Sequence, residues 1–172
     1  DAGLEGNAFL GSATNPASMD GPQLIRSLKP LLMGQDPLER ERIHATTRLF
    51  SRNISYRTIG AMDVALWDLA GKIAGLPVHA LMGTCRTSIA GYASSQVLPD
   101  VAAYVDQAQS FKANGWRAYK IHPPRVAEED IKVCTAVRKA VGDDFRLMLD
   151  STWSYSYIEA LRVGRAIEEM GY

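Results

Sequence analysis

The sequence predicts an α/β protein built around a parallel sheet. From residue 85 onward, three segments with strand patterns alternate with three segments with helix patterns, at roughly 30 residues per pair. The 172 residues are 47% hydrophobic and 22% charged, which is the composition of an ordinary globular protein with a core. Repeated strand–helix pairs indicate a parallel sheet, either doubly wound or closed into a (β/α) barrel.

Residues 1–84 have a different rhythm, with one strand pattern followed by three helix patterns. One strand cannot form a sheet, so we expect its partner strands to precede this sequence. In the last of the three helices, Asp68 and Lys72 are four residues apart and are expected to form an ion pair. The predicted elements are a strand at residues 4–12, a helix from Asp20 to a stop at Gly34, a helix from the capping box Asp36-Pro37-Leu38-Glu39 to about Phe50, and a helix from about Thr58 to Ala74.

Residues 85–172 hold the strand–helix pairs, so we place a domain boundary between residues 84 and 85. Three pairs cannot close a barrel, and we therefore expect the sequence to be part of a longer protein. The predicted strands are Ser88–Ser95, Arg117–His122 and Phe145–Asp150, and the helices are Asp100–Asn114, Glu128–Val141 and a last one from about Tyr155.

Charge and cysteine content exclude several classes of protein. The 19 basic and 19 acidic side chains give a formal net charge of zero, which argues against a nucleic-acid binder. No apolar run is long enough for a membrane span, and the first residues lack the pattern of a signal peptide. Cys85 and Cys134 are far apart in the sequence and are interpreted as reduced thiols, so we expect a cytoplasmic protein.

The candidate functional residues lie at the ends of the three predicted strands, where the catalytic groups of α/β proteins are found. Side chains alternate along a strand, so Lys120 and His122 share one face of the second strand. A buried lysine needs a partner, and a lysine close to other cations has a lowered pKa and can act as a base. The alternative is that both side chains are rim residues in solvent. Asp150, after the third strand, is either a metal ligand or catalytic acid, or the N-cap of the next helix.

Residues 58–83 resemble the mandelate racemase/muconate lactonizing enzymes of the enolase superfamily. The resemblance implies a modified TIM barrel, incomplete here, preceded by part of an α+β capping domain whose last strand would be residues 3–6. The matching elements are Ala61-Met62-Asp63, Ala65-Leu66, Asp68-Leu69, Gly71-Lys72, Pro77-Val78 and Leu81-Met82-Gly83.

The resemblance also assigns roles to the strand-end residues. Lys120 and His122 stand where the family has Lys-x-Lys, whose second lysine removes the proton α to a substrate carboxylate; here His122 takes that position. Sites of this superfamily use either a lysine or a histidine as the base, so His122 remains a candidate, as does a base on the opposite face. Asp150 matches the first of three carboxylates that bind Mg²⁺, and Ser94 lies where first-strand residues face the substrate. Thr152 replaces the common asparagine, which weakens any amide contact expected there.

The function implied by this resemblance is Mg²⁺-dependent abstraction of the proton α to a carboxylate through an enediolate. An acid-sugar dehydratase is the leading hypothesis, and a racemase, epimerase or cycloisomerase is the alternative within the family. A non-catalytic barrel relative, in which Lys120 and His122 only bind an anion, is the alternative of a different class. The expected partner is a small carboxylate such as a sugar acid, and the expected assembly is a homo-oligomer.

Overall fold

The structure, a computed structural model, describes residues 3–10 and 20–172. The chain divides into two compact units, Asp1–Thr87 and Ser88–Tyr172. The domain bounds predicted from the sequence, 1–84 and 85–172, stay predictions. Within the described residues, no helix combines the length and apolar character that crossing a membrane requires.

In the described part of the first unit, every element of regular secondary structure is a helix. Its small core is formed by Leu28, Ile43, Ile54, Ile59 and Met62, which come from successive helices and the turn before the longest one. The elements are α1 (Asp20–Gln23), a π-helical segment (Leu24–Leu28), α2 (Lys29–Leu32), α3 (Arg40–Arg48), α4 (Tyr56–Ala74) and α5 (Val78–Leu81).

The ends of α4 follow from local hydrogen bonding. Ser55 is its N-cap, because the Ser55 side chain accepts a hydrogen bond from the Thr58 N–H at 3.1 Å. Gly75 ends the helix in the left-handed conformation, with φ of 63°, as expected for a glycine that follows a helix. The predicted ion pair between Asp68 and Lys72 is confirmed at 2.6 Å.

Two predictions for this unit are wrong. Residues 4–10 form no strand, and residues 11 and 12 lie outside the described part of the chain. Instead of pairing with a strand, this segment binds side chains of α4: the Asn7 N–H donates to Asp68 at 2.8 Å, and Lys72 donates to the Glu5 carbonyl at 2.8 Å. It lies so close to α4 that a Cβ on Gly6 would be 2.1 Å from a backbone oxygen.

The second wrong prediction is the start of α3. The capping box was expected to begin the helix at Asp36, but α3 begins at Arg40. The Asp36 side chain accepts from the Leu38 N–H at 2.9 Å, and its carbonyl accepts from the Glu39 N–H at 3.1 Å. Aspartate therefore stabilises a separate turn here, which is a common alternative to an N-cap.

The second unit contains the parallel sheet. All three strands pair in parallel in the order β1-β2-β3, which confirms the predicted topology, although each strand is shorter than predicted. The elements are β1 (Ala93–Ser94), α6 (Val101–Ala113), β2 (Ala118–Ile121), α7 (Ala127–Val141), β3 (Arg146–Leu149) and α8 (Tyr157–Glu168).

The helices of this unit bury one face of the sheet. Tyr119 and Ile121 of β2 and Leu147 of β3 are at most 1% exposed and pack with Tyr104 of α6 and Val137 of α7. Burial of such side chains contributes about 2 kcal/mol each to folding. The other face of the sheet is left for the polar residues of the same strands.

Arg138 of α7 joins the carboxyl ends of two helices to β3. Its buried guanidinium donates to four backbone carbonyls at 2.6–2.9 Å, those of Gly142, Phe145, Met170 and Gly171. The carbonyls after a helix end lack partners within the helix, and a cation is favourable there. Arg138 therefore stabilises the second unit by donating to one buried carbonyl, that of Phe145, and to three partly buried carbonyls at helix ends.

Replacing Arg138 with methionine is expected to lower the free energy of unfolding by about 3 kcal/mol, because four carbonyls lose a charged donor while helix propensity changes little. Urea unfolding followed by circular dichroism measures the change. Arg165→Met, at an exposed site of α8, is the matched control and is expected to stay within about 0.5 kcal/mol of the original protein. Equal effects of the two changes would contradict the role given to Arg138.

Both cysteines are unpaired thiols, as predicted, and their surroundings differ. Cys85 is exposed, whereas Cys134 is fully buried, and burial raises the pKa of its thiol to about 12. At pH 8 only about one Cys134 in ten thousand is then a thiolate, the form that reacts.

Iodoacetamide at pH 8 is therefore expected to alkylate Cys85 alone in the folded protein and both cysteines in denaturant. Mass spectrometry of the tryptic peptides identifies the modified positions. Alkylation of Cys134 at the rate of Cys85 in the folded protein would show that its surroundings are open.

Candidate active site

The alternation of side chains along β2 places two polar residues on the face of the sheet opposite the helices. Tyr119 and Ile121 are fully buried under the helices, whereas the side chains of Lys120 and His122 are 22% and 25% exposed. The predicted shared face is therefore confirmed. Lys120 pairs in register with Ser94 of β1, so all three residues lie at the carboxyl ends of neighbouring strands.

Asp150 brings the predicted residues together. It directly follows β3, and its N–H continues the ladder by donating to the Ile121 carbonyl at 2.9 Å. One of its carboxylate oxygens, Oδ2, lies 3.0 Å from Lys120 Nζ and 3.3 Å from His122 Nε2. A carboxylate, an ammonium and an imidazole thus meet at one atom, on the polar face of the sheet.

The hydrogen bond between Lys120 and Asp150 sets the charge state of both. It raises the pKa of the Lys120 ammonium above its ordinary value and lowers the pKa of the Asp150 carboxyl. The expectation of a lowered lysine pKa is therefore wrong for this arrangement, because the nearest charged partner of Lys120 is an anion. Lys120 is a cation here and not a base.

The ring orientation of His122 is fixed by Ser95. His122 Nδ1 lies 2.7 Å from the Ser95 carbonyl oxygen, which can only accept, so we assign the proton to Nδ1. The Ser95 hydroxyl also accepts from the His122 backbone N–H at 2.8 Å. With the proton on Nδ1, a hydrogen bond from Nε2 to Asp150 requires the doubly protonated ring, whereas the neutral ring carries its lone pair on Nε2.

The predicted Ser94 is close to this group but makes a weaker contact. Its hydroxyl oxygen lies 3.5 Å from His122 Nδ1, at the limit of a hydrogen bond, and the residue is exposed. Sequence reasoning chose Ser94 and missed Ser95, which makes both short contacts to His122. The available signal was strand alternation, because it places Ser95 on the helix side, where a buried hydroxyl needs a partner.

Two tyrosines also contact the strand-end residues. Tyr104 of α6 donates from its hydroxyl to the His122 carbonyl at 2.7 Å and accepts from the Leu98 N–H at 2.9 Å. The Tyr92 ring centroid lies 5.6 Å from Lys120 Nζ, within the range of a cation–π contact. Neither role was predicted, since each depends on a residue that is distant in sequence.

The loops after β2 and β3 are strained. In the described part of the chain, the non-glycine residues with positive φ are Arg125 (75°), Thr152 (49°) and Trp153 (62°), and all three lie in these loops. A left-handed conformation costs an L-residue about 1–2 kcal/mol. Thr152, where the family commonly has asparagine, still donates its N–H and hydroxyl to Asp150 Oδ1 at 3.3 and 3.4 Å. Its hydroxyl thus supplies a contact of the kind expected from an amide.

Asp150 provides the kind of oxygen ligand that magnesium prefers, but too few ligands for a complete site. Asp150 offers carboxylate oxygens, the ligands that Mg²⁺ prefers, at the rim of the sheet. Among residues 3–10 and 20–172, no three histidine, cysteine, aspartate or glutamate side chains are grouped so that they could hold a metal ion. Asp150 can therefore be one ligand of such an ion, and a complete site needs further oxygen atoms.

Comparison with known proteins identifies the family. Two sequence models of protein families match the chain. The family model described as mandelate racemase/muconate lactonizing enzyme, N-terminal domain, matches residues 1–83, and the one described as enolase C-terminal domain-like matches residues 103–172. The D-galactarolactone cycloisomerase of Agrobacterium fabrum is 31% identical over 170 residues, which cover 93% of this chain and 45% of that protein. The chain spans about half the length of the curated relatives it matches.

Solved structures share the same architecture. The D-glucarate dehydratase of Agrobacterium tumefaciens, complexed with magnesium, has a TM-score of 0.77 and 32% identity over 88% of this chain and 44% of that one. A mandelate racemase/muconate lactonizing protein from Paracoccus denitrificans, also complexed with magnesium, has a TM-score of 0.82 and 29% identity, covering 97% of this chain and 49% of that one.

The predicted fold class, part of a capping domain followed by an incomplete modified TIM barrel, is thereby confirmed. Both family models and both solved structures lead to one conclusion. The chain belongs to the mandelate racemase/muconate lactonizing enzyme family of the enolase superfamily.

Proposed function

We propose that the protein is a Mg²⁺-dependent acid-sugar dehydratase, which removes the proton α to a sugar-acid carboxylate and then expels a β-hydroxyl. The observation that carries this proposal is the meeting of Lys120, His122 and Asp150 at one carboxylate oxygen. A base and a cation, each within 3.3 Å of a carboxylate that can ligate a metal, match the needs of α-proton abstraction.

His122 is the proposed base, and Nε2 is the atom that accepts the proton. Its Nδ1–H is held by the Ser95 carbonyl at 2.7 Å, which leaves the Nε2 lone pair available in the neutral ring. The Ser95 hydroxyl accepts a hydrogen bond from the His122 backbone N–H and so limits motion of the strand end.

Lys120 is the proposed contact for the substrate carboxylate. It is cationic at neutral pH, as lysine ordinarily is, and its hydrogen bond to Asp150 raises its pKa further, while its side chain is partly open to solvent. An ammonium group attracts a carboxylate and stabilises the negative charge that grows on it as the α-proton leaves. Ser94, exposed beside His122, is the proposed hydrogen-bonding contact for a substrate hydroxyl.

Asp150 is the proposed ligand of the magnesium ion. When bound, the ion offsets the second negative charge that the substrate carboxylate gains on loss of the proton, and this effect contributes several kcal/mol. Two solved structures of the family contain magnesium, which supports the choice of metal. Family resemblance implies that two more carboxylates complete the site.

A cycloisomerase is the second candidate, because the A. fabrum relative is named as one. A racemase or epimerase shares the same first step. These activities differ in the fate of the carbanionic species: a dehydratase loses water, a cycloisomerase breaks or closes a ring, and a racemase returns the proton to the other face. A cytoplasmic homo-oligomer is part of the same proposal.

Replacing Asp150 with asparagine is expected to weaken divalent-ion binding at least about tenfold, since a charged oxygen ligand becomes a neutral amide. Mn²⁺ is a suitable probe, because it shares the preference of Mg²⁺ for oxygen ligands and broadens nearby NMR signals. We expect selective broadening around the end of β3, which competing Mg²⁺ reverses.

Asp106→Asn, at an exposed site of α6, is the matched control and is expected to leave binding unchanged. Undiminished broadening around β3 in the Asp150→Asn protein would place the metal elsewhere.

Replacing His122 with asparagine is expected to slow exchange of the substrate α-proton with D₂O at least about 100-fold, because a general base contributes that much or more. The full-length protein is incubated with Mg²⁺ and a set of sugar acids in D₂O, and proton NMR follows both exchange and product formation. Release of a 2-keto-3-deoxy acid identifies a dehydratase, whereas exchange without loss of water identifies a racemase or epimerase.

His79→Asn changes the same residue type at an exposed site of the first unit and is expected to have no effect. Exchange by the His122→Asn protein at the original rate would place the base on another residue. Binding of sugar acids without any exchange in the original protein would favour the non-catalytic, anion-binding alternative.

A further inference from the structure

Asp130 is a fully buried carboxylate that the proposed chemistry does not use. It lies in the first part of α7 and is 0% exposed. A buried carboxylate is costly unless hydrogen bonds satisfy both oxygens, and here they do. Its Oδ1 accepts from the N–H groups of Arg125 at 2.9 Å and Val126 at 3.2 Å, and its Oδ2 accepts from the Tyr155 hydroxyl.

These bonds join the two loops that bear the candidate active site. Arg125 and Val126 lie in the loop that begins with His122, and Tyr155 lies in the loop that begins with Asp150. Asp130 therefore connects the chain leaving β2 with the chain leaving β3. Neither Asp130 nor Tyr155 hydrogen-bonds to His122 or Asp150 itself, so any influence on the site passes through the loops.

Both loops need such a connection because they are strained. Arg125 in the first loop, and Thr152 and Trp153 in the second, have positive φ. Strained backbone persists only where the surrounding structure holds it. The Trp153 side chain is 99% exposed, so packing does not hold the second loop at this residue. The hydrogen bond of Tyr155 to Asp130, two residues later, is therefore more important for holding this loop.

Tyr155 is suited to act as a permanent donor. Burial, together with its hydrogen bond to the Asp130 carboxylate, raises the pKa of the Tyr155 hydroxyl above its ordinary value. The hydroxyl therefore keeps its proton throughout the physiological pH range, and a charge-assisted hydrogen bond of this kind is stronger than one between neutral groups.

We propose that Asp130 and Tyr155 are positioning residues, which hold the two loops together beyond the last hydrogen bond of the sheet and thereby help to keep His122 and Asp150 at their observed distance. The inference rests on the proposed function in one respect: the distance between His122 and Asp150 matters for catalysis only if these residues carry out the proposed reaction. The contact itself belongs to the fold, so it can be tested without substrate or metal.

The test removes one oxygen atom. In the Tyr155→Phe protein the ring stays and the hydroxyl is lost, so Asp130 Oδ2 has no partner. We expect the imidazole nitrogen signals of His122 to shift in NMR spectra, and hydrogen exchange of the Thr152 amide to rise about tenfold, the effect of losing one such hydrogen bond. Circular dichroism confirms that each variant is folded.

Tyr157→Phe makes the identical change two residues later, at an exposed side chain, and is expected to leave both signals in place. Asp130→Asn is the conservative variant: its amide oxygen can still accept from the Arg125 and Val126 N–H groups, and its amide N–H can donate to the Tyr155 hydroxyl. We therefore expect the His122 signals of Asp130→Asn to stay closer to the original than those of Tyr155→Phe.

Two results would overturn the inference. The first is His122 signals and Thr152 exchange in Tyr155→Phe that match those of Tyr157→Phe. The second is exchange that rises equally at the buried Leu147 amide of β3, which would show that the hydroxyl stabilises the whole unit and does not position the loops. Since neither readout involves proton abstraction, both leave the proposed function to its own test.

Discussion

The alternation of side chains along β2 is the constraint on which the candidate site depends. Tyr119 and Ile121 are fully buried against the helices, and Tyr119 adds a hydrogen bond to Gln107 at 2.8 Å. A shift of one residue would bury Lys120 and His122 in their place and expose both apolar side chains. That shift would forfeit about 2 kcal/mol for each exposed side chain and would bury a cation without a partner. Core packing therefore fixes which side chains face the candidate site.

Charge balance explains what the polar face can do. The ion pair of Lys120 and Asp150 is partly solvated, and pairs of this kind contribute little to stability, so its value lies in position and charge. The pair is neutral overall. A substrate that carries one negative charge and gains a second during proton loss needs more positive charge than Lys120 provides. A divalent ion bound to Asp150 would supply it, which is the physical reason that the proposed chemistry requires a metal.

Sequence reasoning succeeded where the determining interactions are local or periodic. The predicted end of α4 at Ala74 depends on the adjacent Gly75, and the shared face of Lys120 and His122 follows from strand geometry alone. The start of α3 was wrong because Asp36 has two local uses, a helix cap and a turn, that residue type does not distinguish. The strand at 4–12 was wrong for residues 4–10, whose described partners lie about sixty residues later in α4.

The unpredicted parts of the site depend on contacts between distant residues. The direction of the Lys120 pKa shift was wrong because the decisive neighbour is Asp150, thirty residues later. Tyr104 holds His122 through the backbone carbonyl of that residue, a contact that no residue pattern reveals.

A division of labour among the polar residues follows from these contacts. Three polar side chains that are almost wholly buried, those of Ser95, Tyr104 and Asp130, bind mainly backbone groups at the strand ends and in the loops after them. The less buried side chains of Lys120, His122 and Asp150 bind one another and remain open to a ligand. Loop position is thus set separately from the chemistry of the exposed groups. In this arrangement, residues at the strand ends can be replaced and the chemistry changed while the buried contacts keep the framework in place.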